Sequence, residues 1–231
     1  MKISLYQTRI KQMIKKYSVL IGVTTSLILM IIAISLYPGG SMFDKNSIGF
    51  DWTKNFISNL FETKALNGSK NSSRIWACLG MIILPFSYAI FFINMAKKIP
   101  EKNAGNILKY LGAANILFMF LIVTPLHDLM LNISITLFWT CIVVITVFIL
   151  KTSLNLFKFL CVICLVIFYY SIFLWATNDW NLLPLMQKLN FINSTLLILG
   201  LEYFTNQEDF AHIKPGRIKN KQRATNMGSG K

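Results

Sequence analysis

The sequence predicts an all-α integral membrane protein, a bundle of about six transmembrane helices. Three observations lead there. The chain has 231 residues, 55% hydrophobic and only 14% charged, whereas a soluble domain of this size carries about 25% charged residues. Its apolar residues gather in long runs, each near the ~20 residues that a helix needs to cross the hydrocarbon. Its net charge of +14 sits in the two ends and one short loop. That pattern matches a bias toward the cytoplasmic leaflet rather than a nucleic-acid groove, and no motif that reads RNA or DNA is present.

The elements follow in order. Residues 1–17 form a basic arm, with Lys2, Arg9, Lys11, Lys15 and Lys16 and no acid. Ser18 to Leu36 is an almost unbroken apolar run. It exceeds the ~7–15-residue core of a signal peptide, so an uncleaved first helix is expected. Pro38-Gly39-Gly40 ends it, and residues 38–74 make the longest polar segment, the first outer loop. Further spans are expected at 75–96, 107–126, 129–150, 156–177 and 186–205. Each must be a helix, because every backbone N–H and C=O in lipid needs a partner within its own segment. The alternating strands of a β-barrel are absent.

Most lysines and arginines fall at 2–16, 97–109, 151–158 and 214–231. With an even number of spans this puts both termini on the cytoplasmic side, and richness in Lys, Asn and Ile points to a prokaryotic source, hence a prokaryotic cytoplasmic membrane. The short turn Thr124–Leu129 makes spans three and four antiparallel neighbours. Pro85 and Pro125 are expected to kink or end their helices. The chain thus divides into the arm 1–17, a six-helix domain 18–205 and a basic tail 206–231, whose last dozen or so residues are expected to be disordered. No internal repeat is visible, which weakens the case for a small transporter. The four cysteines lie in apolar runs. Cys161-Val-Ile-Cys164 has CxxC spacing, but inside a span and not beside a βαβ unit, so it reads as small apolar helix residues.

The outer loop contains Asp51–Glu62, DWTKNFISNLFE. At 100° per residue, Trp52, Phe56 and Leu60 share one helical face, and Asn55, Ser58, Asn59 and Glu62 form a polar stripe. Asp51 is a natural N-cap. Two readings stand: an interfacial helix that only anchors the loop, or a lid whose polar stripe faces the outer mouth of the bundle.

Phe56-Ile-Ser-Asn-Leu60, with Asp51 before it, Thr63–Gly68 after it and a helix holding Gly80-Met-Ile-Ile-Leu-Pro85, resembles a bacterial and archaeal membrane family catalogued as domain of unknown function 998 (DUF998). The Thr124–Asp128 turn is similar too. The likeness spans roughly residues 15–205 and implies six helices but no activity. Asn59 stands where that family usually has an acid, and Phe61 where it usually has Gly.

Candidate site residues cluster at the outer level. Thr124, His127 and Asp128 share a face at i, i+3, i+4. Asn132, Thr136 and Thr140 form a stripe on span four. Asn178 and Asp179 end span five, and Asn190, Asn193 and Ser194 occupy the outer half of span six. Polar groups at depth mark a cavity unless they merely bond helix to helix. The binding set is then Asn55, Ser58, Asn59, Glu62, His127, Asp128, Asn132, Asp179 and Asn190, around an outward-facing polar cavity. A Ser58–His127–Asp128 arrangement would suit a hydrolase or transferase, but no G-x-S-x-G elbow supports it. One outer histidine is too few for a catalytic zinc, and no cofactor motif is present. Glu202 reads as an interface-seeking acid within reach of Lys109 and Lys158. The leading expectation is a non-enzymatic bundle that interacts with membrane lipid or a small molecule. The enzyme is the alternative, and a transporter the next.

Overall fold

A computed structural model of the chain describes residues 2–122, 124 and 126–213. The expected kink at Pro125 and the expected disorder of the last residues lie outside them. Among the described residues there are six long helices and no extended strand: α1 (Lys2–Ser35), α2 (Arg74–Lys98), α3 (Lys102–Leu121), α4 (His127–Ile149), α5 (Asn155–Ala176) and α6 (Leu183–Phe204). Two short 3-10 helices, Ile57–Phe61 and Gln207–Phe210, complete the elements. Five helices are long and apolar enough to cross a membrane: Gln12–Ser35 within α1, then α2, α3, α4 and α5. The sixth matches them in length, but Gln187, Lys188, Asn190, Asn193 and Glu202 interrupt its apolar character. The basic arm and the first apolar run are one helix of 34 residues, about 50 Å long.

Consecutive helices pack as antiparallel neighbours, and α6 returns to touch α2 and α1. This leaves α2 the most enclosed span and α5 the most peripheral. Small residues allow the close approaches, since lipid gives no hydrophobic drive between helices and packing must supply the attraction. A Cβ at Gly80 would stand 3.2 Å from the Ser26 carbonyl on α1, and one at Gly112 would stand 2.6 Å from Phe92. The Ser26 hydroxyl donates to the Gly80 carbonyl at 2.8 Å. α4 meets α5 through stacked Trp139 and Phe168, ring centres 3.9 Å apart.

The two ends of the bundle differ. At the termini end, where α1 begins and α6 finishes, Phe91, Phe92, Met95, Leu108, Ile142, Ile145, Ile149, Leu197, Ile198 and Leu201 are all fully buried, with Phe210 plugging the base. At the other end lies the loop of residues 36–73, with its own small core of Met30, Ala33, Tyr37, Leu60, Phe61, Ala65 and Ala77. Four of the five tryptophans, Trp52, Trp76, Trp175 and Trp180, are exposed around this loop end.

The loop is folded, and the continuous helix expected over 51–62 is not there. Asp51 does cap, but it caps a turn: its carboxylate accepts from Thr53 N at 2.8 Å, Thr53 Oγ1 at 2.7 Å and Lys54 N at 3.2 Å. Those bonds hold Asp51 below the ordinary carboxylate pKa, the Thr53 hydroxyl contributing most. Asn55 then breaks the helix. Its side-chain oxygen accepts from Asp51 N at 2.8 Å and its amide donates to the Gly40 carbonyl at 2.7 Å. An amide bonding to local backbone offers the chain an alternative to helix. Trp52 is therefore 54% exposed while Leu60 is fully buried, so the two do not share one face. Asn71 closes the loop, donating to the carbonyls of Asn59, Leu60 and Glu62.

Candidate functional site

Beneath this loop lies a cavity of about 210 Å³. It is walled by α1, α2, α3, α4 and α6 and roofed by Ile57, Ser58 and Phe61 of the loop; α5 contributes nothing. Most of the wall is apolar, with Met30, Met81, Leu84, Met119, Leu131 and Phe138 prominent. The expected polar cavity is thus an apolar one carrying a few polar groups. The proline in α2 lines it, and it cannot donate to the carbonyl of Met81, another wall residue. No Asp, Glu, Lys or Arg lines it.

Two polar side chains on the wall have atoms without partners. Asn115 on α3 is 6% exposed, and its Oδ1 has no hydrogen bond among the described residues. The same holds for Nε2 of His127, at the first turn of α4. The other imidazole nitrogen, Nδ1, is 2.9 Å from Asp128 Oδ1. A carboxylate only accepts, so Nδ1 carries the proton of that bond, while Nε2, on a residue that lines the cavity, is left without a partner. An unpartnered buried polar atom costs roughly 1–3 kcal/mol, which singles these two out from the rest of the wall.

The roof is fastened to α6 by two neighbours. Gln187 Oε1 accepts from the backbone N–H of Ile57 at 2.8 Å. Lys188 is 4% exposed, donates to the carbonyls of Asn55 and Pro184, and lies 5.5 Å from the centre of the Phe50 ring. No carboxylate bonds to it among the described residues. Neither Lys188 nor Gln187 was among the residues expected to build the site. A lysine and a glutamine in an otherwise apolar run were the available signal, since such residues inside a span need a partner.

The candidate residues separate as follows. Ser58 and His127 line the cavity together, but no Ser58–His127 hydrogen bond forms, because Nε2 is unpartnered. Asp128 has a side chain 97% exposed and orients the imidazole from outside. Asn55 and Asn59 build the roof without facing the cavity; Asn59 Oδ1 accepts from Phe56 N at 2.8 Å. Glu62 is exposed. Asn132, Thr136 and Thr140 lie on the exposed face of α4, where each threonine hydroxyl bonds back to the carbonyl four residues earlier. They do not line the cavity. Asp179 bonds Asn181 N in the α5–α6 turn, away from it. Asn190 donates to Ser171 on α5 at 2.7 Å, a helix-to-helix contact. Asn115 was not among the expected residues. Its signal was weak, because one Asn among apolar helix residues reads equally as a helix-packing amide.

Glu202 is also placed differently from expectation. It accepts from Asn94 of α2 at 2.8 Å and pairs with neither Lys109 nor Lys158. The four cysteines are free thiols. Among the described residues no three His, Cys, Asp or Glu side chains gather as a metal site requires.

No family's sequence profile matches the chain, and no curated protein or solved structure matches it. The likeness of Phe56–Leu60 and Gly80–Pro85 to the DUF998 proteins rests on those short motifs alone.

Proposed function

We propose that this is a six-span protein of the prokaryotic cytoplasmic membrane, termini inside, which binds the apolar part of a lipid or small molecule under a folded outer lid. In this reading it belongs with the six-helix DUF998-type proteins. The observation that carries the binding function is the lidded apolar cavity with two buried, unpartnered polar atoms. Ligand sites are mostly apolar concavities with a few placed polar groups. At about 210 Å³ the cavity is below the ~300–1,000 Å³ of drug-sized sites, so it takes a small molecule or one chain of a larger lipid.

Two further observations support the membrane arrangement. α6 turns its polar residues inward: Lys188, Ser194 and Thr195 are buried, while Leu189, Ile192 and Leu196 face outward. Its outer face is therefore as apolar as a span requires. Lys97, Lys102, Lys109, Lys151 and Lys158 all fall at the termini end, which the positive-inside rule assigns to the cytoplasm.

The test is photolabelling of the purified full chain with a diazirine-bearing decane. Labelling should appear on Met81 and Met119 and fall in a Ser134→Leu variant, whose side chain fills the cavity. Labelling confined to outward positions such as Phe159 and Leu196 would remove the binding site from consideration. Cysteine-labelling at residues 45 and 151 tests the topology, and modification of both from one side would overturn it.

A second reading is favoured by one observation, the Asp128–His127 pair with an unpartnered Nε2 at a cavity that Ser58 also lines. In that reading Ser58 attacks an ester carbonyl, His127 takes its proton, and an acyl-Ser58 intermediate forms with loss of the alcohol. A fluorophosphonate probe should then label the wild type and not Ser58→Ala. No labelling at Ser58 would discard it.

A further inference from the structure

The wall's hydrogen-bonding state narrows the ligand. This step rests on the binding reading above. Several hydroxyls on the wall have already committed their protons. Ser26 donates to the Gly80 carbonyl at 2.8 Å and Ser194 to the Phe191 carbonyl at 3.2 Å. Thr195 donates to the Phe191 carbonyl at 2.7 Å, so Tyr88, 2.6 Å from Thr195 Oγ1, must be the donor in that pair. Ser26, Ser194 and Tyr88 line the wall, and with their protons committed they have lone pairs left to offer. Of the two unpartnered atoms, Asn115 Oδ1 is an acceptor as well, and His127 Nε2 accepts when the ring's one proton sits on Nδ1. A ligand that satisfies Asn115 Oδ1 must bring a proton, while Ser58, Ser134 and Trp139 on the same wall offer donors to a ligand oxygen.

Charge narrows the choice further. With no acid or base beyond His127 on the wall, an ionised ligand would be an uncompensated charge in a low-dielectric site. A fatty carboxylate fails twice, since it is charged and can only accept. An alkane leaves both atoms unpaired, and an ester or ether without a hydroxyl cannot donate. An alcohol donates once and accepts once. Its oxygen can take an N–H from the amide of Asn115 or Gln187 while its proton goes to an acceptor on the wall. We infer that the cavity selects an uncharged hydroxyl-bearing amphiphile, with a single aliphatic chain among Met30, Met81, Leu84 and Met119. The volume of about 210 Å³, about seven water volumes, accommodates part of one chain and excludes two.

The experiment is competition against the photoreactive decane in detergent-solubilised full-length protein, read as Met81 and Met119 labelling. The competitors are decanol, 1-monodecanoylglycerol, decanoate, decyltrimethylammonium and plain decane at equal micellar mole fraction. At least one of the two hydroxyl compounds should compete about tenfold better than decane and than either ion, the gain expected of one or two net hydrogen bonds. Decanol winning identifies a free alcohol; the glycerol ester winning identifies a glycerolipid hydroxyl. In Asn115→Leu and in His127→Leu the advantage over decane should shrink to about twofold or less, with decane labelling retained. Preference for an ion, or equal competition by alcohol and alkane, overturns the inference and leaves the binding site standing. Absence of cavity labelling by any probe overturns the binding site itself. The wild-type series decides the matter even where a variant does not fold.

Discussion

The two ends of this bundle are built on different principles, and one residue type exposes the difference. Each end has a lysine bonded to backbone carbonyls of α6. At the termini end, Lys98 donates to the carbonyls of Leu201 and Glu202 at 2.9 Å each and to Thr205 Oγ1 at 3.3 Å. It caps the end of α6 that carries the negative pole of the helix, where a cation is favoured. It also stands over a core with Phe91, Phe92, Ile198 and Leu201 fully buried. At the loop end, Lys188 sits near the positive pole of the same helix and bonds the Pro184 carbonyl of α6 together with a loop carbonyl, that of Asn55. Below it is a cavity. One end is held by density and a well-placed charge, the other by a few specific bonds from loop to helix. The binding function proposed above needs a region of the second kind, because close packing leaves nothing to open.

That contrast can be broken or sharpened by substitution. The largest effect is expected for Asn55→Ala, which strips partners from Asp51 N and the Gly40 carbonyl and should cost roughly 2–5 kcal/mol. The damage should be confined to the loop, seen as fast proteolysis between residues 40 and 60 while the helices keep their circular dichroism. Global unfolding instead would show that the loop end is structurally continuous with the core.

Next comes a pair of truncations. Ile198→Ala in the dense half should lower stability by about 2–4 kcal/mol through the void it leaves. Leu131→Ala, on the cavity wall, should cost less than about half as much, because its contacts are already incomplete on one side. Thermal unfolding of the two variants in the same detergent measures it; equal losses would remove the distinction between the halves.

The two lysines make the third comparison. Lys98→Met should cost about 1–2 kcal/mol, from the lost helix cap. Lys188→Met should shift global stability by less than about 1 kcal/mol, because removing a buried cation relieves its desolvation while losing its bonds. It should nonetheless raise proteolysis of the loop. If both variants lose the same global stability and neither alters the loop, Lys188 does not fasten the lid.

The smallest effect concerns Asp51. Its pKa lies below the ordinary 3.8, chiefly through the Thr53 hydroxyl. A carboxyl depressed on folding contributes stability that is complete above its unfolded pKa and is lost as pH falls through the folded value. Hydrogen exchange at Thr53 and Lys54 should therefore be unchanged by acid down to about pH 4 and gain in relative rate below it. An onset near neutrality would point to another group.

The positions of the helices were legible in the sequence because they depend on local quantities. An apolar run of about 20 residues bounded by Pro38-Gly39, Pro100 or polar turns reads as a span wherever it packs. The observed α2 to α6 begin and end within a few residues of the expected spans. The site was only half legible. Ser58 was picked out from a polar stripe and His127 from polarity at the end of a span, and both line the cavity. Asn132, Thr136 and Thr140 were picked out by the same rule and face outward, since threonines bonding back to their own helix need no cavity.

By itself, then, the sequence determined six long helices, the segregation of cations to one end, and a polar loop of unusual length at the other. These follow from hydropathy, charge and helix rise, which act residue by residue. The tertiary structure alone decided that Lys188 is buried, that Asn55 replaces a helix with a turn, and that Asn115 meets His127 on one wall. The first requires two segments far apart in the chain to come within hydrogen-bond distance, and the others depend on which neighbours folding brings to each side chain. The 133-residue separation of Lys188 and Asn55 is invisible to any local pattern, because the cost of burying a polar group is offset only by the partner that folding brings to it.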